Sequence, residues 1–489
     1  MKKLLSVVLS TILVLALAVP SLADDTDLRD AVTTGKALAL VPVEMVSPGE
    51  GWLLVSLSPD GNTSVWKNSD AAKMALVRNG EVIEVHAAPE RGAGDPYGTL
   101  EDQLFWLSGC IPGADGLSWS PDGRYAILSC KQELIKTTGH LDLVMLDAEN
   151  GEAFLAAAYF SSVPFQIRDM WDERYGSVYE ARFDSTGRYI WFVGFVNSLT
   201  ESIGLFRVDT KTGTTDLMAK GFRFSNINKT LFDTGSGSLL IAAGSSDKNQ
   251  SEDDYFLFTP EETPLPGGNT VVLAERPYSN TYIRGNAYLS AKTGKGIIFN
   301  ICPTLTSLKA NAKSAKAASR IAIIANSLNR ITPDGIDLSR YWRLAGDPSD
   351  FASLHLEEID PGIIAILSKT LSGGKGTDTE VEALDAYAAK NEESTAPRIS
   401  CACLSPDGQF ALLCAWNTTE AYYLLMDLDT MDLFPVNGPE NLREVIYGSG
   451  WSQLFYPGMQ WNEDGTLLIL NGKTVEAYRI ARIEVTDNP

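Results

Sequence analysis

A short hairpin motif recurs along the chain and constrains the fold more than any other feature. The full motif, Ser-Pro-Asp-Gly, stands at 58–61, 120–123 and 405–408, and looser copies centre near Gly187 and Asp464. In each copy an apolar or alternating segment enters the motif and a second β-rich segment leaves it. Glycine supplies the positive φ of a tight turn, and aspartate can bond its own backbone there. The motif therefore predicts β-hairpins at intervals along the chain.

A second hairpin follows several copies of the motif. These second hairpins lie at 75–85, 143–154, 205–218 and 423–436. Two hairpins make a four-stranded meander, and strands this short cannot bury both faces of a lone sheet. Sheets standing radially around one axis bury those faces and leave only short edges. The sequence thus predicts an all-β fold, a single β-propeller.

Turn positions give the number of blades. Turns centre near 60, 122, 186, 235, 293, 361, 407 and 464, which predicts eight four-stranded blades. Seven blades is the alternative, because the copies at 235 and 361 are degenerate. The last copy has only three strand segments, at 458–462, 466–470 and 474–480. We expect the apolar segment 37–46 to supply the fourth, so that an N-terminal strand closes the ring.

The three full motifs carry a family resemblance. With Asp60, Asp122 and Asp407 in Ser-Pro-Asp-Gly, the chain resembles the WD40-like repeat of the Tol-system periplasmic propeller and of the propeller domains of prolyl oligopeptidase-type peptidases. The resemblance implies the fold and says little about activity, because one fold carries many functions. Those peptidases hold their catalytic triad on a separate α/β domain, for which the repeats leave no room here.

The N-terminus has the pattern of an export signal. Lys2 and Lys3 precede an apolar run at 4–19, and small residues precede a cleavage point after Ala23. A retained membrane anchor is the alternative, although the run is near the short limit for a span. We therefore expect a signal peptide at 1–23 and a propeller domain at 24–489. The mature chain is predicted to be secreted, periplasmic or associated with the cell surface, with no membrane insertion after signal removal.

Charge and cysteine content restrict the partners and cofactors. The net charge of −22 repels phosphates, so nucleic acid and anionic lipid surfaces are disfavoured as partners. No cofactor and no metal site is predicted, because no second cysteine pair or histidine cluster completes the Cys401-Cys403 pair. In an oxidising compartment Cys401 and Cys414 could form a cross-strand disulfide, and buried thiols are the other interpretation. The six cysteines are Cys110, Cys130, Cys302, Cys401, Cys403 and Cys414.

Three long crossovers between blades provide the candidate binding residues. They lie at 86–115, 156–178 and 435–457, and each combines aromatic rings with charges. Long connections and aromatic residues are both common at binding surfaces. The alternative is that these rings pack over the blades and anchor their own loops. The predicted binding residues are Trp106, Arg168, Trp171, Arg174, Trp451 and Tyr456.

Two insertions have helical patterns. Residues 307–320 place four basic side chains on one face of an alanine-rich segment, and 377–394 fits either a helix or a further hairpin.

Catalytic motifs do not emerge from the sequence, and no catalytic residue is predicted. The chain has no Gly-x-Ser-x-Gly, His-Glu-x-x-His or phosphate-binding glycine pattern. We therefore predict a non-catalytic module that binds an unknown protein, peptide or glycan. The alternative is an extracellular hydrolase or lyase that acts on a glycan polymer at the channel mouth, since propeller glycosidases assemble their carboxylates from distant blades.

Overall fold

The computed structural model describes about half of the chain, mostly as β-strands. The described residues are 28, 37–68, 70–71, 73–87, 117–128, 144–155, 178–197, 202–211, 215–223, 231–233, 239–245, 253–258, 271–272, 287–290, 293–299, 327–333, 335–337, 339–347, 350, 353–371, 377–390, 398–416, 421–438, 459–471 and 474–483. The predicted signal peptide at 1–23 and the basic segment at 307–320 lie outside these residues.

The strands are short and follow one another closely. In the first half of the chain they are β1 Ala37–Pro42, β2 Leu53–Leu57, β3 Thr63–Asn68, β4 Lys73–Arg78, β5 Glu81–Glu84, β6 His86–Ala87, β7 Leu117–Trp119, β8 Tyr125–Leu128, β9 Val144–Asp147, β10 Glu152–Leu155, β11 Val178–Phe183, β12 Tyr189–Asn197, β13 Ser202–Asp209, β14 Thr215–Arg223, β15 Leu231–Asp233 and β16 Leu239–Ser245. In the second half they are β17 Asp253–Phe258, β18 Val271–Val272, β19 Ala287–Leu289, β20 Gly296–Phe299, β21 Ser327–Thr332, β22 Gly335–Ile336, β23 Tyr341–Ala345, β24 His355–Ile359, β25 Arg398–Leu404, β26 Phe410–Trp416, β27 Ala421–Asp427, β28 Leu433–Asn437, β29 Met459–Trp461, β30 Leu467–Asn471 and β31 Thr474–Ile483.

These strands form seven antiparallel four-stranded meanders in the described part of the chain. We name them blades 1 to 7. Blade 1 is β2–β5, blade 2 is β7–β10, blade 3 is β11–β14, blade 4 is β15–β18, blade 5 is β19, β20, β21 and β23, blade 6 is β25–β28, and blade 7 is β29–β31 with β1. Blade 5 carries β24 as a fifth strand, and β22 forms a short hairpin with β21.

An N-terminal strand completes the last blade, as predicted. β1 pairs antiparallel with β31 at six positions, from Ala37 opposite Ile483 to Pro42 opposite Tyr478. Its other edge pairs in parallel with β28 of blade 6, where Leu38 lies opposite Val436. Blades 6 and 7 therefore share one continuous sheet through β1.

The first strand of each blade contacts the next blade in order around a ring. Contacts join β7 to β11, β11 to β15, β15 to β19, β19 to β25 and β25 to β29. Trp119 Nε1 of β7 donates a hydrogen bond to Ser56 Oγ of β2, 3.1 Å away. The ring of blades closes where β2 of blade 1 contacts β31 of blade 7. Sheets arranged in this cyclic order are the architecture of a β-propeller.

Apolar side chains fill the spaces between neighbouring blades. One cluster joins Val55 and Leu76 of blade 1 to Trp119 and Leu146 of blade 2. Similar clusters join blades 5 and 6, blades 6 and 7, and blades 7 and 1. This packing buries the apolar faces that a short four-stranded sheet would expose on its own, as the sequence analysis predicted.

The predicted hairpin at 361 is wrong. Strand β24 is followed there by a helix, α1 (Pro361–Leu371), and a second helix, α2 (Asp378–Lys390), comes after it. Asp360 Oδ1 accepts a hydrogen bond from Gly362 N at 2.7 Å, so Asp360 caps a helix that Pro361 starts. The described residues accordingly hold seven meanders rather than the eight predicted.

The helical interpretation of 377–394 is confirmed over α2. Thr377 and Glu380 form a reciprocal cap. Thr377 N donates to Glu380 Oε2 at 2.7 Å, and Glu380 N donates to Thr377 Oγ1 at 3.3 Å. The two helices pack on the outer strands of blade 5 through a cluster of Tyr341, Ile359, Ile363, Ile364 and Leu384.

Candidate binding face

Each blade has two opposite ends. We call the end with the turns between its first and second strands, and between its third and fourth, the turn face. We call the other end, where strands 2 and 3 are joined and where the chain crosses to the next blade, the loop face. In blade 1 the turn face holds residues 58–61 and 79–80. Asn79 and Gly80 have φ of 51° and 83°, as a two-residue hairpin turn requires.

On the turn face, the Ser-Pro-Asp-Gly motif satisfies its own polar groups. Ser58 Oγ donates to Asp60 Oδ1 at 2.6 Å and accepts from Thr63 N at 2.9 Å. Asp60 also accepts from the backbone and the side chain of Asn62. Burial acts to raise the pKa of Asp60, but the hydrogen bonds from Ser58 and Asn62 outweigh it and hold the pKa below its usual value. The aspartate is thus a structural acceptor.

The other copies repeat this bonding, and one copy exchanges the roles. In the copies at 120–123 and 405–408, Ser120 and Ser405 donate to Asp122 and Asp407. In blade 3 the acid comes first, and Thr186 Oγ1 donates to Asp184 Oδ2 at 2.7 Å. In these four copies the turn pairs one hydroxyl with one carboxylate two residues away, and either order occurs.

The motif glycines lie where turns of adjacent blades meet. A Cβ on Gly61 would lie 2.4 Å from Asp464 Oδ2 of blade 7, and a Cβ on Gly408 would lie 1.9 Å from Ser290 Oγ of blade 5. Gly61 and Gly408 also have φ of 74° and 69°. Glycine is required at these positions both for the turn and for contact between blades.

Ion pairs link the hairpins of the turn face. Arg188 Nη2 lies 3.0 Å from Asp209 Oδ2, and Arg124 Nη2 lies 3.4 Å from Asp147 Oδ2, so each arginine connects the two hairpins of its blade. Between blades 5 and 6, Lys295 Nζ lies 2.5 Å from Asp429 Oδ1. The charged side chains of the turn face therefore pair with one another within and between blades.

All six predicted binding residues lie outside the described residues, so their side chains are not placed. Their positions along the chain are fixed by the strands around them. Trp106 lies between β6 and β7, Arg168, Trp171 and Arg174 lie between β10 and β11, and Trp451 and Tyr456 lie between β28 and β29. Each of these connections ends at the first strand of a blade, on the loop face. Two of them start from the fourth strand of the preceding blade, and the one that holds Trp106 starts after β6, which pairs with β10.

One crossover of the loop face is described, and the sequence analysis did not select it. Residues 43–52 join β1 of blade 7 to β2 of blade 1. Val43, Met45 and Trp52 pack on the apolar cluster between these two blades, whereas the side chain of Val46 is 60% exposed. This crossover anchors itself with a tryptophan and presents a smaller apolar residue to solvent. The predicted closing segment 37–46 already contained Val43, Met45 and Val46, and the Ser-Pro-Gly sequence that follows it was the signal that could have identified a crossover here.

A charged pair lies on the loop face of blade 1. Lys73 Nζ lies 2.6 Å from Glu84 Oε1 where β4 begins and β5 ends, and both side chains are more than half exposed. An exposed pair of this kind adds little stability. The side chain of Asn68 caps the neighbouring connection by accepting a hydrogen bond from Ala71 N at 3.0 Å. Exposed apolar and charged groups on a fixed frame suit non-covalent recognition.

Blade 5 contributes a closed loop to the same face. Between β23 and β24, Ser353 Oγ accepts from Asp347 N at 2.8 Å and lies 2.7 Å from Asp350 O. A Cβ on Gly346, whose φ is 115°, would lie 2.5 Å from Ser353 O. These contacts join the described residues of the loop, and His355 is exposed at its end.

A polar cluster lies on the outer strands of blade 5 beside helix α2. Arg340 forms two hydrogen bonds to Glu358, at 2.9 and 2.6 Å, and these bonds lower the pKa of Glu358. Arg343 forms an ion pair with Glu357, which lies directly opposite it in the β23–β24 register. Burial raises the pKa of Tyr387 of α2, and the charge of Arg343 acts in the opposite direction. The cluster joins β23, β24 and α2.

The described residues show neither a metal-binding cluster nor a membrane-spanning helix. Within the ranges given above, no group of three or more His, Cys, Asp or Glu side chains is placed to hold a metal ion. No helix in that part of the chain is long and apolar enough to cross a membrane. In blade 6, Cys401 lies opposite Cys414 in the strand register, and the side chain of Cys414 is buried.

No protein-family model matches the sequence, and no curated protein matches it. Among solved structures, the chain is similar to the β-propeller domain of the Trilobed protease from Pyrococcus furiosus, with 8% identity, 91% of this chain and 98% of that chain covered, and a TM-score of 0.41. The chain is also similar to Pyrococcus horikoshii acylaminoacyl peptidase, with 8% identity, 88% of this chain and 52% of that chain covered, and a TM-score of 0.40. TolB from Acinetobacter baumannii is similar with 11% identity, 83% of this chain and 66% of that chain covered, and a TM-score of 0.30.

The chain spans about half of the length of that acylaminoacyl peptidase. With TM-scores of 0.30 to 0.41, these similarities do not decide the fold. The assignment of a β-propeller rests on the strand pairing and on the cyclic order of the blades.

Proposed function

We propose that the chain is an exported, non-catalytic β-propeller that binds a protein, peptide or glycan on its loop face. The export signal at 1–23 would deliver it to the periplasm, the cell surface or the medium. We also infer that the complete ring has seven blades, because contacts between neighbouring described blades follow a closed order of seven, which ends where β2 of blade 1 contacts β31 of blade 7.

The distribution of long connections supports this proposal most directly. The four longest stretches between consecutive strands that hold no described element are 88–116, 156–177, 300–326 and 439–458. All four join strand ends on the loop face, whereas the described turns of the opposite face are short and pack on one another. Long connections on a rigid scaffold are the usual place for binding residues. The predicted binding residues fall in three of these four connections.

The binding test uses the secreted chain, immobilised and screened against a glycan array and a library of extended peptides. For any probe that binds, Trp171→Ala and Trp451→Ala should each weaken binding about tenfold or more, as expected when an aromatic hot spot is removed. The matched control is Arg188→Ala on the turn face, which removes a half-exposed ion pair and should leave binding unchanged.

If both tryptophan variants bind the probe with unchanged affinity, the proposal that the loop face binds it is contradicted. Turnover of a glycan on the array, seen as release of product, would instead favour the hydrolase or lyase alternative. Thermal unfolding of each variant distinguishes a lost contact from a lost fold.

A further inference from the structure

Strand β1 is connected to the ring differently from the other described strands. A short turn joins most strands of the seven meanders to a sheet neighbour. β1 has no such turn, because its neighbours β28 and β31 lie at the other end of the chain. After β1 the chain runs through the crossover 43–52 into blade 1. β1 can therefore leave the sheet without breaking any hairpin.

The position that β1 occupies is a groove with two walls. The wall formed by β31 pairs with β1 at six positions, and the wall formed by β28 pairs at two, at Leu38 and Ala39. Both walls offer backbone hydrogen-bonding groups. A strand that enters this groove satisfies both edges at once, whereas its departure leaves both edges unpaired.

The floor of the groove selects an alternating apolar strand. Leu38 and Leu40 are 2% and 4% exposed and pack in a cluster shared by blades 6 and 7. Val41 is 41% exposed. Side chains two apart share one face of a strand, so Leu38 and Leu40 point to the same side. The groove thus recognises an extended segment by two apolar residues two positions apart and by its backbone.

We propose that this groove is an exchangeable strand-binding site, from which β1 can leave and which β1 of a second copy of the chain can enter. A second copy supplies the same side chains in the same register, so the exchanged strand makes the contacts already described. The crossover 43–52 is the hinge that would connect the two copies. This inference does not depend on what the loop face binds.

The test compares the intact chain with a stapled variant. The staple is Val41→Cys with Arg479→Cys, a directly opposed pair in the β1–β31 register. Opposed residues of antiparallel strands lie within the Cα separation that a disulfide spans. The probe is a labelled peptide of residues 35–46. It should bind the intact chain, and binding should fall about tenfold or more in the oxidised stapled variant and return on reduction.

Two peptide variants and one exchange measurement complete the test. A peptide with Leu38→Asn and Leu40→Asn should not bind, whereas the matched control Val41→Asn should bind. Backbone amides of β1 should exchange hydrogen at least about tenfold faster than those of β26 and β27. Equal binding to the stapled and reduced forms, no binding to the intact chain, or exchange as slow as in β26 would each overturn the proposal.

Discussion

At the scale of single residues, the turn motif has two separable requirements. The serine and aspartate satisfy backbone groups, and Asp184 with Thr186 shows that their order can be exchanged. The glycine meets a stricter requirement, because it combines positive φ with contact to the adjacent blade. Sequence patterns identified the first requirement in the three full copies. They could not identify the second, since the neighbouring turn comes from another blade.

The steric part of this requirement can be isolated with two glycines. Gly408→Ala places a Cβ 1.9 Å from Ser290 Oγ, whereas Gly80→Ala meets no atom within 4 Å, and both positions have positive φ. The left-handed conformation costs both variants about 1–2 kcal/mol. Overpacking should cost Gly408→Ala about 1–3 kcal/mol more. Denaturant unfolding measures the difference, and equal losses in the two variants would show that the turns of blades 5 and 6 do not touch.

At the scale of elements, the error at 361 has a definite cause. The residues Asp-Pro-Gly were interpreted as a turn between two strands, but Asp before Pro is also a start signal for a helix. Which interpretation holds depends on the residues that follow. Ile363, Ile364 and Leu384 can pack together on Tyr341 only if two helices form. The capping pair Thr377 and Glu380, three residues apart, was a local signal that favoured the helix at 378.

The cap of the first helix provides a prediction at this scale. Asp360→Ala removes the acceptor of Gly362 N and should lower the free energy of unfolding by about 1 kcal/mol. Asp360→Asn retains an oxygen acceptor and should recover most of that loss. Denaturant titration checks both variants. If Asp360→Ala is as stable as the unchanged chain, Asp360 does not cap α1.

At the scale of the whole molecule, the repeat predicted the architecture and the closing strand. Strand β1, predicted within 37–46, pairs with β31 over Ala37–Pro42. The pairing of β1 with β28 and the packing of helices on blade 5 did not follow from the sequence, because they depend on which blades become neighbours. For the same reason the sequence could predict binding residues in the connections of the loop face but could not predict which of them converge.

The central claim is that short meanders close into one ring through β1. A crystal structure of the chain from residue 24 onward tests it most directly. The account predicts seven four-stranded sheets around a common axis, with Ala37 beside Ile483 and the turn at 58–61 against Asp464. Two stacked sheets, or a strand other than β1 beside β31, would contradict it.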